Sequence, residues 1–195
     1  MIDSIIQWDK EVLLFFQEHI RADWLNPVMK VISAIGWKGI IWIALCIVLM
    51  IIKKTRMVGI VAASSLSLSF IVNNLTIKVI VDRIRPYEVI ESLERIVPAE
   101  IDASFPSGHV ACVFSVAVGI LLASKNKVPG ILLIIFGFLM AFSRMYVGVH
   151  YPTDVIGAAV IASLCALAAY YIVRFIDGKI KKKRQDKNDI DAMMV

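Results

Sequence analysis

Five apolar stretches, separated by short polar or basic breaks, limit what this chain can fold into: Val28–Ile52, Val58–Ile77, Val110–Ala123, Val128–Phe142 and Val155–Ile176. A helix needs about 20 apolar residues to cross a bilayer, and these stretches read as membrane spans of that order. With 59% hydrophobic residues in 195 and a mean hydropathy of +0.78, a soluble domain of this size could not hide its apolar surface. The class is therefore integral membrane protein. In the first stretch Lys30 and Lys38 must snorkel, Gly36 is a point of breakage, and the clean apolar core is Gly39–Ile52. Cys46, Cys112 and Cys165 lie inside apolar segments without metal-ligand or disulfide spacing and read as packing residues.

Residues 4–20 set Ile5, Trp8, Val12, Phe15, Phe16 and His19 at three- and four-residue intervals, the pattern of an amphipathic helix. Glu11 and Glu18 favour a helix lying in the interface over one that crosses. If residues 1–25 do cross, the spans number six and not five. Lys53-Lys54-Thr55-Arg56, Lys125-Asn126-Lys127 and the Lys179–Lys187 tail follow the first, third and fifth spans, so all three fall on one side. The positive-inside rule makes that side the cytoplasm. A plasma-membrane protein is expected, with a single integral domain over residues 1–178 and a basic cytoplasmic tail over 179–195. The tail's charge, within a net +5, suits anionic lipid, and no nucleic-acid partner is expected.

The polar region Lys78–Phe105 and the turn Arg144–Asp154 then share the extracytoplasmic face. Three clusters collect there. Lys78, six residues and Arg85-Pro86 form the first; a helix continuing to Arg85 would put both cations on one face, with Pro86 ending it. Pro106-Ser107-Gly108-His109 is the second, at the start of a span, with Ser104 as the expected cap. The free N–H groups of such a helix end attract anions, and Gly108 permits close approach. Ser143-Arg144, five residues, His150, three residues and Asp154 form the third. The four-residue spacing of His150 and Asp154 stacks them on one helical face, where the carboxylate can fix the imidazole tautomer. Alone, each cluster has a structural explanation: snorkelling cations, a capped helix start, an arginine at a membrane edge. Together, cations, a helix amino terminus and two histidines at one water–lipid boundary are the requirements of phosphoryl transfer through histidine. No His, Cys or carboxylate cluster points to a metal.

This three-part pattern resembles the signature of the type 2 phosphatidic acid phosphatase superfamily, which also contains vanadium haloperoxidases and glucose-6-phosphatase. The resemblance covers roughly residues 64–173. It implies an all-α polytopic membrane bundle of five to six helices and hydrolysis of lipid phosphate monoesters or diphosphates without metal or other cofactor. It also implies the roles: Lys78, Arg85, Ser107, Gly108 and Arg144 hold the phosphate, His150 is the nucleophile, Asp154 orients it, and His109 protonates the leaving group. Pro86 and Pro106 shape the loops. Among bacterial members, resemblance to undecaprenyl-diphosphate phosphatases makes an isoprenoid diphosphate the expected substrate. Phosphatidylglycerol phosphate and phosphatidate are the alternatives within the class, and a lipid transporter or non-catalytic scaffold the alternative outside it. The acidic stretch Glu88–Glu94 is expected at the mouth of the site.

Overall fold

The computed structural model describes residues 2–36 and 39–193, and among them there is helix and loop but no strand. The helices are α1 (Ile2–Phe15), α2 (Asn26–Ile35), α3 (Ile40–Ile51), α4 (Arg56–Phe70), α5 (Lys78–Val81), α6 (Pro86–Val89), α7 (Gly108–Ala123), α8 (Val128–Tyr146) and α9 (Pro152–Met193). A π-helical stretch, Ile71–Ile77, joins α4 to α5 without a loop. Arg56–Val89, Val128–Tyr146 and Pro152–Asp191 are long and apolar enough to cross a membrane. The pair α2 and α3, bent by 51° at the break after Ile35, makes a fourth if counted as one span. The break falls at Gly36, as its composition predicts; Lys38 lies outside the described residues.

Helix α7, though shorter than a typical span, is the centre of the bundle. Val110, Val113, Val116, Ala117 and Ile120 are buried on several sides of it, against α4, α8 and α9. Small residues let the neighbours come close. A Cβ on Gly119 would stand 2.8 Å from Ser65 Oγ of α4, and one on Gly137 of α8 would stand 2.8 Å from the Phe114 ring. The outward faces of α8 and α9 carry exposed Ile135, Phe138, Val160 and Leu164, an apolar surface suited to lipid.

Three local expectations need correction. The helix carrying Lys78 does not reach Arg85: it ends at Val81, where Asp82 adopts a left-handed conformation (φ 42°), and Arg85 is extended. A short polar side chain tolerates that conformation best among residues with a Cβ. Ser104 does not cap α7. Ser107 precedes the helix, and the Ser104 hydroxyl donates elsewhere. His150 and Asp154 do not share a helix, because α9 begins at Pro152 and His150 lies in the turn before it. Helix α1 exposes Ile5, Trp8 and Phe15 and turns Asp9 and Leu13 inward.

Candidate functional site

The C-terminal end of α5, the N-terminal end of α7 and the turn between α8 and α9 meet at one end of the bundle. Arg85 is their hub and is almost fully buried. Its Nε donates to the Asp102 carbonyl at 2.8 Å and its Nη1 to the Val149 carbonyl at 2.9 Å. Nη1 also lies 3.4 Å from His150 Nε2. The other nitrogen, Nη2, pairs with Asp102 Oδ1 and Glu100 Oε2, each at 2.6 Å. Lys78 Nζ donates to the other oxygen of Asp102 at 2.6 Å, and Arg144 Nη2 pairs with the other oxygen of Glu100. Two carboxylates from one loop thus link all three predicted phosphate-binding cations to one another. The second nitrogen of Arg144, Nη1, donates to Ser33 Oγ of α2 at 2.5 Å, and Ser143 Oγ donates to the Met29 carbonyl at 2.8 Å. The bent first span therefore holds the end of α8 in place.

Asp154 Oδ2 faces His150 Nδ1 at 3.4 Å. That oxygen also accepts from Ser104 Oγ at 2.5 Å and from the Tyr151 N–H at 2.9 Å, while Oδ1 accepts from Arg83 Nη1 at 2.7 Å. Nδ1 of His150 is buried and makes no hydrogen bond, the Asp154 carboxylate being its near neighbour. Ser107 lies beside this pair, its N–H donating to the Asp154 carbonyl at 3.2 Å. Its hydroxyl is fully buried and unpartnered, so it has a proton to offer an oxyanion. Gly108 and His109 open onto a cavity of about 490 Å³ lined also by Asn74, Lys78, Glu100 and Asp102. His109 and Glu100 line a second cavity of about 470 Å³ together with Arg144 and Ser33. Gly36 is necessary here, since a Cβ on it would stand 2.5 Å from the His109 ring. Pro86 starts α6 directly after Arg85, and Pro106, just before Ser107, is joined to Phe105 by a cis peptide bond.

The charges sort the protonation states. Burial alone would raise the Glu100 carboxyl, but the guanidinium groups of Arg144 and Arg85 outweigh it and hold the group at about 2. Asp102 is likewise lowered to about 2, by Lys78 and Arg85 against the effect of burial. His150 is pushed well below the ordinary imidazole range by burial first, then by Arg144 and Arg85. It is therefore a neutral imidazole at physiological pH, with Nε2 beside the Arg85 guanidinium. Among the described residues no group of three His, Cys, Asp or Glu side chains is arranged to hold a metal.

Sequence reasoning singled out the cations and histidines but not Glu100, Asp102, Arg83 or Asp9. The acids expected near the site, Glu88, Glu91 and Glu94, make no ion pair with Lys78, Arg85 or Arg144; Glu100 and Asp102 do. Both lie in the polar region before the second cluster with Ile101 between them, where no repeat marks which side faces the site.

A family model described as the PAP2 superfamily matches residues 57–177. An undecaprenyl-diphosphatase of Sulfolobus acidocaldarius is 34% identical over 161 residues, covering 83% of this chain and 76% of that protein. An undecaprenyl-diphosphatase of Bacillus subtilis is 38% identical over 93 residues, which is 48% of this chain and 45% of that protein. Among solved structures, a transmembrane PAP2-type phosphatidylglycerolphosphate phosphatase from Bacillus subtilis is similar with a TM-score of 0.70 and 26% identity. The match covers 91% of this chain and 88% of that one.

Proposed function

The chain belongs to the PAP2 superfamily and is a membrane hydrolase of that phosphatase class, and we propose that it converts undecaprenyl diphosphate to the monophosphate. The observation that carries the reading is the 3.4 Å approach of Arg85 Nη1 to His150 Nε2, with Lys78 and Arg144 linked to the same guanidinium through shared carboxylates. A phosphoryl group held by Arg85 is thereby presented to the imidazole. The isoprenoid diphosphate is favoured by the undecaprenyl-diphosphatase of Sulfolobus acidocaldarius, whose likeness extends over most of this chain.

In the proposed reaction Lys78, Arg85 and Arg144 bind the terminal phosphate, with Ser107 Oγ and the N–H groups at the start of α7 as further donors. Charge-assisted and bidentate contacts of this kind stabilise the equatorial oxygens as negative charge develops. His150 Nε2 attacks phosphorus, forming an N–P bond while the P–O bond to the lipid phosphate breaks. His109 supplies the proton to the departing oxygen; burial and then Arg144 lower its imidazole, so the negative charge of the bound phosphate must raise it for this step. Water then attacks the phosphohistidine, a proton returns to His109, the N–P bond breaks and inorganic phosphate leaves. Asp154 keeps Nδ1 of His150 oriented throughout and supports the positive charge that develops on the ring. The cations and helix end serve where other phosphatases use metal ions.

The proposed setting is the plasma membrane, with five to six spans, the site on the extracytoplasmic face and a basic tail, residues 179–195, in the cytoplasm after a single domain over residues 1–178. A second reading is favoured by one specific likeness, that to the solved phosphatidylglycerolphosphate phosphatase: the substrate is then a glycerolipid phosphate. Phosphate release from undecaprenyl diphosphate, phosphatidylglycerol phosphate and phosphatidate in detergent separates the two. Preferential hydrolysis of undecaprenyl diphosphate supports the first reading; preference for a glycerolipid overturns it. A His150→Ala variant without turnover on any of them supports the nucleophile, and no turnover by the wild-type chain would favour a binder or transporter.

A further inference from the structure

Helix α1 lies before the residues that carry the family match. An interfacial helix needs only apolar residues on its inner side, yet this one turns an aspartate inward. Asp9 is fully buried. Its Oδ1 accepts from the Thr153 N–H at 2.9 Å; its Oδ2 accepts from Arg83 Nη2 at 2.7 Å and from Thr153 Oγ1 at 2.5 Å. Arg83 is not one of the signature positions, but it faces both ways. Its other nitrogen, Nη1, donates at 2.7 Å to Asp154 Oδ1 and at 2.7 Å to Thr153 Oγ1. The guanidinium lies 3.9 Å from the centre of the Tyr151 ring, and the Arg83 carbonyl accepts from the Ser104 N–H at 2.7 Å. Because Asp154 faces His150 at 3.4 Å, one unbroken series runs imidazole, carboxylate, guanidinium, carboxylate.

A buried carboxylate carries a desolvation penalty that only close pairing offsets, and an apolar residue at position 9 would dock the helix without it. The pairing at Asp9 is not incidental to the site: Thr153, its other partner, stands next to Asp154 in sequence. We propose that Asp9 and Arg83 are positioning residues for the His150–Asp154 pair. Arg83 fixes the Asp154 carboxylate and offsets part of its charge; Asp9 fixes Arg83 and offsets part of the arginine's charge. Through this series the first helix sets how strongly Asp154 supports positive charge on His150. The proposal rests on the reading of His150 as the nucleophile.

The alternation of sign gives opposite expectations for the two residues. With Asp9 neutral, Arg83 cancels more of Asp154, the imidazolium is less supported, and the group that must be neutral to attack stays neutral to lower pH. With Arg83 neutral, Asp154 acts more fully and the same limb moves to higher pH. The other charged groups around His150 are Arg85 and Glu100 from the loops, Lys78 from α5, Arg144 from α8 and His109 of α7 beyond Glu100, and they are unchanged in every variant. The Tyr151 ring lies against the Arg83 guanidinium, and Glu88 is a further charge acting on Tyr151.

The test is the pH dependence of kcat and kcat/KM for the full chain in detergent, with a lipid diphosphate as substrate. The variants are Asp9→Asn, Arg83→Gln, Arg83→Lys and the double variant Asp9→Asn with Arg83→Gln. Asp9→Asn should lower kcat about tenfold with KM nearly unchanged, as expected when orientation of a bound nucleophile is loosened. Its acid limb should move to lower pH and that of Arg83→Gln to higher pH, while Arg83→Lys, which keeps the charge, should stay closer to wild type. In the double variant the Asp9→Asn shift should vanish, because Asp9 acts through Arg83. Limbs that coincide with wild type in the folded single variants, or an Asp9→Asn shift that persists in the double variant, would overturn the proposal. A His150→Ala control separates the failures. If it still turns over, the nucleophile assignment has fallen and the relay with it; if it is inactive while Asp9→Asn behaves as wild type, the relay alone has fallen.

Discussion

Glu100 occupies the same cation pair that a phosphate would have to enter, so Glu100→Gln should tighten the binding of small oxyanions. The carboxyl is held at about 2 against an ordinary 4.5, with burial opposed and outweighed by Arg144 and Arg85. At 1.36 kcal/mol per pH unit this is a net preference for the ionised form of about 3 kcal/mol. Any anion settling between Arg85 and Arg144 competes with that preference. Glutamine keeps the size and one acceptor oxygen but not the charge, so roughly half of the preference disappears, or on the order of tenfold in affinity. The assay is inhibition of lipid hydrolysis by inorganic phosphate and by orthovanadate, with thermal unfolding in detergent to confirm that the variant is folded. Arg144 keeps its bond to Ser33 and so retains one fixed partner. The inhibition constants should fall about tenfold for both anions, with a matching increase in product inhibition. Constants equal to or above the wild-type values in the folded variant would refute the idea that this carboxylate competes for the cage.

Gly36→Ala should reduce kcat by one to two orders of magnitude with little loss of stability, because the added Cβ stands 2.5 Å from the His109 ring and must displace it; a wild-type kcat would show that His109 need not hold this position. The pH profile of kcat/KM should have its acid limb below the ordinary imidazole value of about 6.5, since lowering the His150 value keeps the attacking form neutral further into acid. A limb at or above that value would contradict the electrostatic account. EDTA should leave turnover intact; loss that magnesium restores would count against a cage made of side chains alone.

The apolar segments were sufficient to read the helices of the bundle, of which three are long and apolar enough to cross a membrane and a bent pair makes a fourth, and Gly36 marked the break between α2 and α3. The residues that the structure gathers around Arg85 were legible as types and spacings, because Lys78, Arg144, His109 and His150 are costly at a membrane edge without a task. What sequence could not place were their partners. Arg83 meets Asp9 across 74 positions of sequence and Arg144 meets Ser33 across 111, and no local periodicity encodes such pairs. Glu100 and Asp102 sit on an irregular loop, where neither a helical nor a strand repeat announces which face a side chain takes. The heptad-like offset from Lys78 to Arg85 misled for a related reason. Pro86 begins α6 and ends no helix, because the chain had already left the preceding one at Asp82, and the cations meet through Asp102 and not along one helical face. The α1 pattern showed an amphipathic helix and hid its function, because Asp9 belongs to neither of the properties that periodicity measures.

The most direct test of the central assignment is a rapid acid-free quench of the enzyme with lipid diphosphate labelled on the terminal phosphate, followed by mapping of the labelled peptide. The label should appear on His150 as an alkali-stable, acid-labile phosphoramidate, build up within the first turnover and be absent from His150→Ala. Turnover with no labelled intermediate at any quench time, or label carried by another residue, would contradict it.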